Sequence, residues 1–355
     1  FGTERMGRVE FQAALDAIGA SENAGTSFGV QTLASSFDKG VALLADNELH
    51  PALPKRAFEI VQQQYAALLH TRNQSPGFLV HKSLVKALFP ENDPTLRDAT
   101  PETVHSLSMD DVHNYYRQVY RPDLTTVVVM GRITPDAAKA VVQKYFGGWT
   151  ATGPTPETEL PAVPDNKPGT VNVPDTSRVQ DVVILAQTMG VTRKDKDYYP
   201  IALGDAVLGG SFYSTRLSID LRKNSGLVYS VGTGLEAGKN RSIYIVQYAC
   251  DPQNVSKARD IVNQDLAAMQ NKPVPEDELR RTKALLLRQI PLGESSVDAI
   301  AGSLINRQET GLPLDEPTVA AKRYIDLTPA DVMAAFKKWM RPNDLVQVSQ
   351  GPAPK

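Results

Sequence analysis

The chain has 355 residues, enough for two or three domains with sizeable cores. Its 38 basic and 40 acidic residues nearly cancel, which excludes a global electrostatic pull toward nucleic acid or an anionic membrane. No apolar run approaches the roughly 18 residues of a membrane span. The single Cys250 cannot close an internal disulfide and reads as a buried strand residue. There is no signal-peptide pattern, and Phe1 is not a natural start, so further sequence is expected upstream.

In chain order, Val9, Phe11, Ala14, Leu15 and Ile18 fit an amphipathic helix that stops near Gly19. Residues 26–35 partly alternate, with Phe28 and Val30 two apart, and predict a strand. Two helices follow over 38–48 and 55–72, the second with Phe58, Val61, Tyr65 and Leu68 on one face. Another covers 76–88 and ends before the turn cluster PENDP. Ser108 caps a helix through 120, residues 124–130 (LTTVVVM) read as a buried strand, and 135–146 as a helix. From 147 to 169 the chain is rich in Pro, Thr and Gly without apolar periodicity, which marks a linker.

The second half opens with a strand over 179–187 and a helix over 198–208. Residues 208–229, LGGSFYSTRLSIDLRKNSGLVY, then read as a Gly-Gly break, a helix, a Gly stop and a new strand. Leu217 and Leu221 recur four apart with Ile219 beside them, giving the helix an apolar face. Asn224-Ser225-Gly226 ends it, because glycine can take the left-handed conformation there. Arg222 thus falls in the last turn and Tyr229 three residues past the stop, and a reversal of this kind can bring a guanidinium and a phenol to one surface. Spacing leaves the plainer reading open. In it Arg222 complements the helix dipole and Tyr229 packs in the core with its hydroxyl satisfied. Strands over 228–235 and 243–250 follow, then helices over 252–270, 276–289, 297–309 and 314–324. Thr328 caps a helix through 340, and 345–349 is the closing strand.

The two halves repeat. Leu107-Ser-Met-Asp-Asp-Val112 matches Leu327-Thr-Pro-Ala-Asp-Val332, Tyr116 pairs with Phe336, and Arg121-Pro122-Asp123 pairs with Arg341-Pro342-Asn343. Each copy is a cap, a helix, an Arg-Pro turn and a strand ending at a glycine, Gly131 or Gly351. Both caps resemble a capping box in which Asp stands for Glu. A duplication of this length indicates two copies of one domain, with boundaries at 1–147, a linker at 148–170 and a second domain at 171–352. Strands followed by runs of helices make the fold class α+β, each domain a sheet with helices packed over it. With Phe1-Gly2-Thr3 set against Leu208-Gly209-Gly210, the first copy lacks the opening strand and helix of the second, about 40 residues.

The pattern from Leu208 through Gly209, Gly210, Ser214 or Thr215, Arg216-Leu217, Leu221-Arg222 and Gly226-Leu227 to Tyr229 resembles the C-terminal half of the insulinase/pitrilysin/mitochondrial-processing-peptidase family of zinc metallopeptidases. Family-like features extend over nearly the whole chain. The resemblance implies two homologous domains, each a mainly antiparallel sheet covered by helices. It implies that Arg222 and Tyr229 are catalytic, reaching across a closed chamber toward a substrate carbonyl beside a zinc ion carried by the other half. Gly209 and Gly210 are the implied substrate-binding residues. The family's zinc motif, H-x-x-E-H, is missing. None of His50, His70, His81, His105 and His113 has a second histidine four residues on with an intervening Glu, the spacing that puts two imidazoles on one helix face. Where a later family helix supplies a third ligand and a supporting acid, this chain aligns Leu68 and Val61. No metal ligand is therefore expected in this chain.

Other motifs lack their contexts. Gly25-Thr-Ser27-Phe-Gly29 matches a nucleophile elbow without the following helix, and Ser36-Phe-Asp-Lys39 lacks its companion motifs. Residues 232–240 miss both phosphate-loop spacings and read as a hairpin turn. Asp110-Asp111 and Glu276-Asp277-Glu278 fall at helix N-termini, where carboxylates suit the dipole. Asn73 and Asn254 head glycosylation sequons by pattern only.

The expected function is that of the non-metal half of a zinc-dependent peptidase acting on unstructured oligopeptides. Its partner is a zinc-bearing half, upstream in the same polypeptide or a separate subunit. The alternative is an inert scaffold or peptide-binding relative of the same fold. Analogy to bacterial relatives suggests the periplasm.

Overall fold

The computed structural model describes residues 2–211 and 214–352; Phe1, set above against Leu208, lies outside them. The chain forms two compact units, residues 1–70 with 99–158 and residues 71–98 with 159–355. Neither unit is one contiguous stretch.

The chain begins with α1 (Arg8–Asp16), the short antiparallel pair β1 (Ser21–Asn23) and β2 (Gly29–Gln31), α2 (Phe37–Leu49) and α3 (Lys55–Gln74). It continues through α4 (Pro76–Leu88), α5 (Pro101–His105), α6 (Met109–Val119) and α7 (Pro135–Phe146). The strand expected over 26–35 is reduced to the three residues of β2. On α3 the expected apolar face is largely turned out, with Val61 48% and Leu68 58% exposed, whereas Ala66 and Leu69 are buried against Val104. Gln62 decides between the stripes, because its amide donates to the Val104 and Leu107 carbonyls at 2.9 Å each and holds that segment over positions 62, 66 and 69.

The second unit is built on a five-stranded sheet of β3 (Gly169–Pro174), β4 (Asp181–Met189), β5 (Val228–Ala237), β6 (Ser242–Cys250) and β7 (Val346–Gly351). The order is β3-β7-β4-β6-β5; β3 runs parallel to β7 and the remaining pairs are antiparallel. Its helices are α8 (Tyr198–Leu208), α9 (Val255–Asn271), α10 (Glu276–Leu292), α11 (Val297–Thr310), α12 (Glu316–Asp326) and α13 (Pro329–Trp339). Val183, Leu185, Tyr244 and Val246 on one sheet face meet Ile201, Leu203, Val262, Leu266, Val332 and Phe336 from the helices in the main core. The other face takes Val80, Leu84 and Leu88 of α4, which pack on Ala186, Val346 and Val348. That apolar stripe, spaced four apart, is why residues 71–98 belong with the second unit.

The two capping boxes match in geometry. Ser108 N–H and Oγ bond Asp111 Oδ2 at 2.8 and 2.6 Å, and Thr328 repeats both distances with Asp331. Each Arg-Pro turn also has a purpose that spacing did not reveal. Arg121 donates to the carbonyls of Thr152, Gly153 and Pro154, and Arg341 to Asn166 and Thr188, so each guanidinium clamps a passing stretch of chain. The copies part at their last run. β7 is buried throughout between β3 and β4, whereas residues 124–130 form no strand and Val127 is 54% exposed. Among the described residues no strand lies beside 124–130, so its backbone has no ladder to join.

Candidate functional site

The site is the reversal between α8 and β5. At the end of α8 the amides of Gly209 and Gly210 both donate to the Asp205 carbonyl, at 2.9 and 2.8 Å. Gly209 is buried against β5: its carbonyl accepts from Thr233 N–H at 3.4 Å, and a Cβ there would lie 2.6 Å from Thr233 Cγ2. Gly210 is exposed. The structure thus gives Gly209 a packing reason to be glycine.

The following helix departs from the expected α form. Residues Ser218–Asn224 are π-helical, with Ser225 N–H reaching back five residues to the Asp220 carbonyl at 3.1 Å. Such wide turns are uncommon and concentrate at functional sites. Leu217 and Leu221 are fully buried, as their spacing predicts, and Ile219 stays partly outside. Gly226 closes the turn at φ +63°, while Leu227 N–H returns to the Leu221 carbonyl at 2.9 Å. Gly226→Ala is expected to destabilise the protein by about 1–2 kcal/mol, the cost of a side chain in the left-handed region, measurable by urea denaturation.

β5 then begins with a bulge. Val228 opposes Cys250 and Val231 opposes Tyr248, so Tyr229 and Ser230 face Ala249 alone. A bulge re-aims a side chain, and here Tyr229 is 74% exposed instead of entering the core. The Arg222 guanidinium lies over its ring, 5.1 Å from the centroid. The two residues singled out by spacing therefore meet on one accessible surface, held by the π-helical turn on one side and the bulge on the other. Neither device was legible in the sequence.

Beneath the turn sits a charged layer the sequence reading missed. Arg216 makes a two-pronged ion pair with Glu278 of α10, at 3.1 and 2.9 Å. The Asp220 carboxylate accepts from Asn224 Nδ2 at 2.7 Å and faces Asp265 of α9. Burial, then the Asp220 charge, pushes the Asp265 carboxyl up to about 7. Farther in, burial raises Asp205, whose surroundings include Thr233 and Tyr244. These pairs join residues tens of positions apart, so no local pattern marks them.

The described residues do not bring together a ligand set that fits a zinc ion. The five histidines lie on different segments, His50 just past α2 and the others in α3, α4, α5 and α6. Among the described residues, no group of three or more His, Cys, Asp or Glu side chains is placed to hold a metal. Cys250 is buried on β6, and burial pushes its thiol up to about 11. Residues 25–29 lead into β2 instead of a helix, and the Gly25 carbonyl accepts from Tyr120 Oη at 2.6 Å, so no nucleophile elbow forms.

Residues 106–286, which include this whole reversal, match the family described as the Peptidase M16 inactive domain. The chain belongs to the M16 peptidase family. It is 24% identical over 298 residues to an uncharacterised zinc protease of Mycobacterium leprae, covering 80% of this chain and 65% of that protein. It is 22% identical over 306 residues to the uncharacterised zinc protease YmxG of Bacillus subtilis, covering 84% and 73%. The crystal structure of a peptidase M16 inactive domain from Pseudomonas fluorescens superposes with a TM-score of 0.84 at 22% identity, over all of this chain and 86% of that one. The α+β fold with its helix-covered mixed sheet is thus the fold of M16 inactive domains. In the M16 family such a domain pairs with a catalytic half. No described helix is long and apolar enough to cross a membrane.

Proposed function

We propose that this M16 chain is the non-metal half of a zinc-dependent metallopeptidase that degrades unstructured oligopeptides. The observation that carries the proposal is the convergence of Arg222 and Tyr229 on one exposed surface. Their N–H and O–H donors suit a peptide carbonyl oxygen that becomes negative as the tetrahedral intermediate forms. The π-helical turn and the bulge hold both donors in advance, so little reorganisation accompanies the reaction. The partner half supplies the zinc ion, and this chain closes the chamber and binds the carbonyl. Gly210, exposed at the end of α8, would line the same surface, and Gly209, buried against Thr233, would position the loop.

Mixing tests this reading. The isolated chain is expected to cleave no peptide and to hold no stoichiometric zinc, and cleavage is expected to appear with the zinc-bearing half. A second reading, the inert scaffold, is favoured by the exposed apolar Val61 and Leu68 on α3, where the family pattern carries acids. A chain that assembles with a zinc half yet adds nothing to cleavage would decide for the scaffold.

A further inference from the structure

We propose that the sheet face beside Tyr229 is a groove for the substrate chain, and that it reads a basic side chain about six residues from the scissile bond. The proposal rests on the peptidase reading above and names the substrate class it serves. On the sheet face away from the main core, the α4 cluster reaches Ile184, Ile243 and Ile245. Past Ile245 along β6 lies a cleft of about 560 Å³, with Val182, Ile245 and Ala249 as its half-buried floor. Strand alternation sets this face: Gly232 and Gly234 of β5 oppose Gln247 and Ile245, and Val182 opposes Ala249. Tyr229 and Ser230 oppose that same Ala249 at the bulge, so the cleft opens beside the phenol. Spacing reads residues 232–240 as a turn, yet 232–237 lie within β5. A Cβ on Gly232 or Gly234 would meet no atom within 4 Å, so packing does not demand glycine at either position. Glycines inside a strand weaken it and mark places where a ligand or another backbone comes close.

The occupant is an extended peptide. The cleft falls within the roughly 300–1,000 Å³ of ligand sites and takes one chain segment, whereas a second copy in a stable dimer would bury about 800 Å² on each partner. Its floor is apolar, and Gln247 and Ser230 stand exposed along it to bond peptide N–H and C=O groups. Glu236, exposed at the far end, is the one charged residue among the described lining residues. The cations of the following turn are engaged elsewhere, Lys239 with Glu159 and Arg241 with Asp93. A lysine or arginine on the peptide would therefore meet an available carboxylate. Glu236 lies seven positions after Tyr229, one of them absorbed by the bulge. At about 3.3 Å per residue the remaining run is about 20 Å, the reach of about six residues of an extended substrate.

Binding and cleavage both test the groove. The full chain alone is expected to bind a fluorescent, unstructured peptide carrying one arginine. Gly232→Val fills the cleft with a residue that strands favour, and should raise the dissociation constant about tenfold or more. Glu236→Lys, an exposed change that leaves the fold alone, should weaken the arginine peptide and tighten its glutamate counterpart. In the assembled peptidase the same changes should appear in KM with kcat held. Moving the arginine along the substrate should give one optimum, about six residues from the cleaved bond. A short substrate that ends before the cleft should be cleaved by Gly232→Val as by wild type. Unchanged binding in both variants, or no optimum for a basic residue, would overturn the groove. A dimer of the wild-type chain that Gly232→Val dissolves would overturn it too, assigning the face to a second copy. If Tyr229→Phe keeps full turnover while Gly232→Val still loses the peptide, the catalytic reading falls and the groove stands as a peptide-binding site.

Discussion

Tyr229→Phe is expected to lower the turnover of the assembled peptidase on the order of 10²–10³-fold, the typical cost of removing one donor to a developing oxyanion. The substitution isolates the hydroxyl. Phenylalanine keeps the ring under the Arg222 guanidinium, so the stacked arrangement persists and Arg222 keeps its seat. Because Tyr229 is largely solvent-exposed, losing its hydroxyl leaves no buried group unsatisfied, and stability should change by less than about 0.5 kcal/mol. The loss should appear in kcat, with KM and assembly near wild type, because the hydroxyl acts most strongly where charge develops. Tyr229→Leu, which also removes the ring, is expected to be worse. Steady-state kinetics on the assembled pair are decisive, and a Tyr229→Phe enzyme with undiminished turnover removes the catalytic role.

The largest stability effect is expected from Arg241→Ala, at about 3–5 kcal/mol, the cost of stripping one partner from a buried ion pair. Arg241 Nη1 reaches both oxygens of Asp93, at 2.9 and 3.0 Å, and both residues are buried. Its Nε donates to the Pro161 carbonyl at 2.8 Å, and its guanidinium lies over the Phe89 ring. This single side chain therefore ties the segment after α4 and the approach to β3 to the β5–β6 hairpin. Burial alone pushes Asp93 up, but hydrogen bonds from Arg241 and Thr95 outweigh it and hold the carboxyl below its ordinary value. The contribution is present above about 3.9 and is lost as pH falls through the folded value. In Arg241→Ala only the Thr95 hydrogen bonds still oppose the burial, and the carboxyl rises. The gap between variant and wild type should thus narrow in acid, which urea denaturation at pH 7 and at pH 3.5 would show. A gap under about 1 kcal/mol at neutral pH would mean that solvent reaches the pair.

Much of this was legible because local chemistry carried it. The capping boxes at Ser108 and Thr328, the left-handed Gly226 and the buried Leu217 and Leu221 each follow from a few neighbouring residues. The convergence of Arg222 and Tyr229 was half legible: spacing placed them on either side of a reversal, but only the π-helical turn and the bulge bring them to one accessible surface. Residues 124–130 failed as a strand because strand formation depends on a neighbour that composition cannot supply. On α3 the apolar stripe was real, yet a single amide, Gln62, selected another face. The acid pair at Asp220 and Asp265 lies beyond any local reading, since its members sit on separate elements.

The packing of α4 on β7 has a consequence for biosynthesis. The helix leaves the ribosome long before the strand that covers it, for residues 80–88 must await residues 346–348. At about 5–20 residues per second the delay is on the order of 10–50 s. Through that interval Val80, Leu84 and Leu88 form a greasy stripe that lacks its Val346 and Val348 neighbours, a ready target for a holding chaperone. A nascent chain stalled anywhere before the final strand would keep that stripe only partly covered.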